Sequence, residues 1–204
     1  MIDATLQPLQ RAILRSPASL LAARGVQADH VTLVGFGVGL LAIPALALQL
    51  YWVALVLILL NRLADGLDGA IARINGPTDR GAFLDIALDF LFYALIPVGF
   101  ALADPAANAL AASVLIAAFV GTGSSFLAFA SIAAKRQIST EAYPTKGIYY
   151  LGGLTEGAET IVFFVAISLF PGLFAPLAYL FAAACGLTTV TRWLMGWRAF
   201  SDME

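Results

Sequence analysis

Between Asn61 and Phe90 the chain reads NRLADGLDGAIARINGPTDRGAFLDIALDF, and it carries Asp65, Asp68, Asp85 and Asp89 within two otherwise apolar stretches. A carboxylate inside a membrane span costs about 3 kcal/mol on insertion scales, so such residues are retained for function or in pairs with cations. At helical spacing Asp65, Asp68, Gly69, Ala72 and Arg73 share one face, and Gly81, Asp85 and Asp89 share another. If the two stretches run antiparallel, a rise of about 1.5 Å per residue brings the carboxylates to one level. Arg62 and Arg73 can neutralise at most two of the four. The missing positive charge is best supplied by a divalent cation, and an all-oxygen ligand set suits Mg²⁺, Mn²⁺ or Ca²⁺ rather than zinc. Gly69, Ala72 and Gly81 leave a slot beside the acidic face, and a metal cluster next to an arginine suits a pyrophosphate. An internal ion-pair network and the cation pathway of a transporter are the competing readings.

The elements that hold these residues follow from composition. Of 204 residues, 61% are hydrophobic and 12% charged, against about 45–50% and about 25% in a soluble domain. That suffices for six spans of about 20 residues. Apolar stretches fall at 32–50, 51–74, 81–103, 107–134, 147–170 and 172–194, separated by turn residues such as Asn75-Gly76-Pro77, Asp104-Pro105 and Pro171-Gly172. The fold class expected is an all-α integral membrane protein, a single domain over 1–204 with a six-helix bundle at 32–194. Residues 1–24 should form an amphipathic helix on the membrane surface, with Leu6, Leu9, Ile13 and Leu14 opposed to Gln7, Gln10, Arg11 and Arg15. No signal-peptide core is present in this segment.

All eleven lysines and arginines fall at or near alternate ends of the stretches, and none lies at 49–52, 103–107 or 170–173. Cations concentrated on one side place both termini in the cytoplasm. The expected location is a bacterial inner membrane with the acidic site facing the cytoplasm. A net charge of −2 implies no nucleic-acid partner, and the lone Cys185 excludes an intrachain disulfide.

The pattern D-x2-D-G-x2-A-R-x7-G-x3-D-x3-D, carried by Asp65, Asp68, Gly69, Ala72, Arg73, Gly81, Asp85 and Asp89, resembles the signature of the CDP-alcohol phosphotransferase family. The lead-in Asp29-His30-Val31-Thr32 is also similar to that family. The resemblance implies an enzyme that cleaves a CDP-linked donor, releases CMP and joins the remaining phospho-group to an alcohol, typically as a homodimer. It further implies that Asp65, Asp68, Asp85 and Asp89 hold two Mg²⁺ or Mn²⁺ ions. Gly69, Ala72, Arg73 and Gly81 would receive the cytidine and its phosphates, and Asp89 would be the general base. The donor expected is CDP-diacylglycerol. A soluble CDP-alcohol transferred to a lipid alcohol is the alternative chemistry, and a cation-coupled transporter is the rival from another class.

The acceptor stays open. Glu156, Glu159 and Thr160 can share a face of the fifth stretch and form one wall of the same cavity, or Glu156 can pair with Arg62. The segment from Gly153 faintly resembles a Gly-x-Thr-Glu stretch of choline and ethanolamine phosphotransferases. Lys135, Arg136 and Lys146 form a basic loop that could bind an acceptor phosphate, although cation bias alone also explains them. Asp85 is followed by Ile86, which departs from the proline and serine patterns of several branches of the family. His30 reads as a helix-end residue and Cys185 as packing. Gly35 and Gly39, and Gly121, Gly123, Ser124 and Ser125, read as helix contacts; the family resemblance implies the third and fourth helices as the dimer surface.

Overall fold

The computed structural model describes residues 2–136 and 153–201, with side chains described from residue 12 onward. Within them every element is helical: α1 (Ile2–Ala23), α2 (Ala28–Leu40), α3 (Ala42–Ala47), α4 (Tyr51–Asn75), α5 (Asp79–Ala103), α6 (Pro105–Lys135), α7 (Gly157–Leu169), a short 3₁₀ turn (Pro171–Leu173) and α8 (Phe174–Ser201). Four segments are long and apolar enough to cross a membrane: Ala28–Ala47, Asp79–Ala103, Pro105–Lys135 and Pro171–Ser201. α4, with 25 residues, has the length, but Arg62, Asp65, Asp68 and Arg73 dilute its hydropathy. α7 has 13 residues, about 20 Å of helix against a hydrocarbon core of about 30 Å.

Several boundaries differ from the sequence reading, each for a local reason. The first span breaks at Leu41 into α2 and α3, because Pro44 has no N–H for the Leu40 carbonyl. In the fifth stretch, expected to be helical from 147, the described residues 153–156 are not helical and α7 starts at Gly157; residues 147–152 lie outside the described residues. The last helix continues past 194 to Ser201. Arg192 is therefore an interior residue, buried and donating to the Thr122 carbonyl at 3.0 Å, rather than a charge at a helix end.

α1 lies along α4, with Leu14 and Ala18 buried against Ala70 and Ile71. Ile13, assigned by its spacing to the apolar face, is 63% exposed. α2 packs on α4 through the glycine step: a Cβ at Gly35 would fall on the Cβ of Ala64, and one at Gly39 would lie 2.8 Å from Phe92 and 2.9 Å from Asn61. Gly121 faces Thr189 of α8 and Gly123 faces Phe90 of α5, so the small residues of α6 serve two different neighbours. Aromatic rings fill the centre. Phe100 and Phe174 stack at 4.5 Å between centroids, as do Phe163 and Phe181 at 4.4 Å. Cys185 is buried in this core, and His30 is exposed in the first turn of α2.

Candidate active site

Two devices make α4 and α5 an antiparallel pair. Gly76 turns the chain at φ 92°, a left-handed conformation that glycine adopts without steric cost. Thr78 then caps α5 by accepting from the Gly81 N–H at 3.0 Å. A further tie crosses to α2, where Arg80 pairs with Asp29 at 2.6 Å. A Cβ at Gly81 would sit 3.0 Å from that same Asp29 carboxylate, so this signature glycine marks a close approach between the mouths of α2 and α5.

The resulting geometry brings Asp65, Asp68 and Asp85 together, each able to offer an oxygen within 4.8 Å of the others. All-oxygen donors at that spacing fit a hard divalent cation, by the chemistry of the ligand set. The fourth aspartate is held differently. Asp89 accepts from Arg62 Nη2 at 2.7 Å, while Asp65 lies 3.8 Å from Arg62 Nη1. All four line a single cleft together with Arg62, and Thr32, Gly35 and Asn61 form part of its wall.

Three polar residues that the sequence reading gave no role support this group. Thr32 donates to Asp68 at 2.5 Å, Asn61 accepts from Arg62 Nε at 2.8 Å, and Tyr93 meets Arg62 Nη1 at 3.0 Å. The signals were present: Asn61 is a buried amide inside an apolar helix, and Tyr93 stands one helical turn from Asp89. What the sequence could not reveal is that all three converge.

The remaining signature positions sit around the cluster. Arg73 is exposed, and its Nη1 would lie 3.5 Å from a Cβ at Gly69, so the guanidinium covers the small-residue face. Ala72, one position earlier, is half-buried.

Among the described residues, Glu156, Glu159, Lys135 and Arg136 do not line this cleft. Glu156 is the N-cap of α7, not a mid-helix residue. It forms a reciprocal capping box with Glu159, whose carboxylate accepts from the Glu156 N–H at 3.1 Å. Its own carboxylate also accepts from the Gly153 N–H at 2.9 Å. Thr160 returns its hydroxyl to the Glu156 carbonyl at 2.8 Å. In place of the alternative pairing of Glu156 with Arg62, Arg62 pairs with Asp89. Arg136 donates to the Phe200 carbonyl at 3.0 Å and lies over that ring; Lys135 is exposed, and Lys146 lies outside the described residues. Because loss of a helix cap costs about 0.5–2 kcal/mol, Glu156→Ala should lower the melting temperature by about 1–8 °C. Unchanged melting together with a raised acceptor KM would instead give Glu156 a place in the site.

The sequence profile described as CDP-alcohol phosphatidyltransferase matches residues 26–199. The chain belongs to the CDP-alcohol phosphatidyltransferase family. It is accordingly a transferase, with the aspartate cluster inside the matched region. It is 54% identical over 204 residues to "Inner membrane protein YnjF" of Escherichia coli, covering 100% of this chain and 99% of that one. With its apolar helices, this likeness makes it a multi-pass membrane protein. It is also 36% identical over 97 residues to an archaetidylinositol phosphate synthase of Pyrococcus horikoshii, 47% of this chain and 49% of the relative. In three dimensions the family fold is evident in its similarity to the Mycobacterium tuberculosis phosphatidylinositol phosphate synthase PgsA1 with CDP-DAG bound. The TM-score is 0.69 at 23% identity, covering 95% of this chain and 98% of that one. The same enzyme in complex with manganese and citrate aligns with TM-score 0.66 at 20% identity, covering 94% and 92%.

Proposed function

We propose that this protein transfers a phosphatidyl group from CDP-diacylglycerol to a hydroxyl acceptor, with release of CMP. The observation that carries the reading is the convergence of Asp65, Asp68 and Asp85 within 4.8 Å, with Asp89 on the same cleft, in a member of this family. The similarity to a synthase described with CDP-DAG bound supports the choice of donor.

In this reading Asp65, Asp68, Asp85 and Asp89 hold two Mg²⁺ or Mn²⁺ ions. When bound, they supply charge stabilisation to a pyrophosphate and its leaving group. Gly69, Ala72 and Gly81 leave space for the cytidine and its phosphates, and Arg73 contributes charge-assisted hydrogen bonds to them. Asp89 takes the proton of the acceptor hydroxyl as its oxygen attacks the lipid-side phosphorus. The new O–P bond forms, the bond from that phosphorus to the bridging oxygen breaks, and CMP leaves with the electron pair. In this reading the basic residues Lys135, Arg136 and Lys146 attract an anionic acceptor by their charge, and Glu156 and Glu159 fix the start of α7 through their capping box. Two similar proteins are named as synthases of phosphoinositol lipids, so inositol phosphate heads the acceptor panel. Purified protein with Mg²⁺, labelled CDP-diacylglycerol, and inositol phosphate, glycerol 3-phosphate or serine should release CMP and yield a new lipid. Cation transport without CMP release would favour the transporter reading.

The same proposal has six crossings, with α4 and the α7 segment completing the set, both termini in the cytoplasm of a bacterial inner membrane, and a homodimer as the working form. A cysteine at Ala106, exposed at the start of α6, should react with an impermeant thiol reagent in intact cells. One at Asp79, at the other end of α5, should react only after the inner face is opened. The reverse pattern would invert the topology.

A further inference from the structure

Arg62, Asn61 and Tyr93 fall outside the eight signature positions, yet they build the most heavily bonded group in the cleft. The chain of contacts begins on α2, where the Gly35 carbonyl accepts from Asn61 Nδ2 at 2.9 Å. Asn61 Oδ1 in turn accepts from Arg62 Nε at 2.8 Å and Nη2 at 2.6 Å. Arg62 Nη1 donates to the Tyr93 hydroxyl at 3.0 Å, and Nη2 donates to Asp89 Oδ1 at 2.7 Å. The guanidinium carbon lies 4.9 Å from the Phe92 ring centroid and 5.1 Å from that of Tyr93. Arg62 is buried, whereas the Asp89 side chain keeps 30% of its exposure on the cleft. A planar fork bonded through all three of its nitrogens and set against two rings has lost its rotameric freedom already. Its geometry is therefore paid for in folding and does not depend on substrate.

We propose that Arg62 is the positioning residue for Asp89, and that Asn61 and Tyr93 are the struts that fix it. With Oδ1 held by the guanidinium, the carboxylate presents its other oxygen toward the cleft in one orientation. That is the requirement for accepting a proton from a hydroxyl at hydrogen-bond range. Asp65 lies 3.8 Å from the same guanidinium and Asp68 is held by a neutral threonine hydroxyl, so Asp89 is the carboxylate that Arg62 holds at hydrogen-bond distance. This inference rests on the transferase reading and on Asp89 as its base.

The test uses full-length protein in detergent with Mg²⁺, CDP-diacylglycerol, and inositol phosphate, glycerol 3-phosphate or serine as acceptor. Arg62→Gln should lower kcat by about 10²-fold or more, the scale of a general-base contribution. The donor KM should stay within about threefold, and Mn²⁺ binding measured by electron paramagnetic resonance should be retained, because Asp65, Asp68 and Asp85 keep their oxygens. Arg62→Lys should recover part of the rate, since an ammonium can reach Asp89 but cannot fork to Asn61 and Tyr93. The double variant Arg62→Gln/Asp89→Asn should be no slower than Asp89→Asn alone, because the two act as a unit. Additive losses, a wild-type kcat in Arg62→Gln, or loss of Mn²⁺ binding in step with activity would each overturn the assignment. Should Arg62→Gln fail to fold, Tyr93→Phe and Arg62→Lys decide the matter: both are expected below wild-type kcat, and wild-type rates in both would overturn it. A wild-type protein that releases no CMP with any of the three acceptors withdraws the transferase reading itself, and with it the role of Arg62.

Discussion

Asp68→Asn and Asp85→Asn should each lower CMP release by about 10²–10³-fold or more while the protein still inserts, because each removes a charge from a site built to hold cations. Both contribute to the three-carboxylate group, on different helices, so neither neighbour can replace the lost oxygen from its own backbone position. Chelation should reproduce the effect in wild-type protein, with turnover lost in EDTA and restored by Mg²⁺ or Mn²⁺. Thr32→Val, which removes the hydroxyl bonded to Asp68, should act more mildly. A residue that orients a metal ligand typically changes affinity by about 10–100-fold, so the cation concentration for half-maximal rate should rise while the rate at saturation recovers. Full turnover in metal-free buffer would remove the metal from the mechanism.

Gly35→Leu should produce a large loss of stability. A Cβ there would meet the Cβ of Ala64 on α4, with backbone behind it, so relief requires the two helices to separate. Overpacking of this kind costs about 1–3 kcal/mol and occasionally more, which lowers the melting temperature by about 2–12 °C in a chain of this size. Gly37→Leu is the control: two residues along the same helix, a Cβ meets nothing within 4 Å, and melting should not change. The damage at Gly35 should also reach the cleft, because its carbonyl anchors Asn61 and, through it, Arg62. Equal melting of the Gly35 and Gly37 variants would show that α2 and α4 can part without cost.

The all-helical fold class, the acidic pair of helices and the family itself were legible in the sequence because they depend on period and composition. Carboxylates three and four residues apart share a helix face whatever surrounds them, and glycines four apart permit close approach whichever helix they meet. Asn75-Gly76-Pro77 likewise located the turn that makes α4 and α5 antiparallel. Partner choice was not legible. Glu156 looked like a cavity residue while its helix was taken to begin at 147; a start at Gly157 makes the same carboxylate a cap. Arg192 read as a terminal charge until α8 proved to extend to Ser201. Arg62 could have paired with Glu156, Asp65 or Asp89, all consistent with its place in the chain, and the choice fell to Asp89 because Asn61 and Tyr93 aim the guanidinium there. Local sequence determines which face a side chain occupies, since that follows from the helix repeat. Only tertiary packing decides what it meets across helices, because contacts such as Arg62–Asp89, Asn61–Gly35 and Arg192–Thr122 join residues tens of positions apart, whose separation depends on every helix between them.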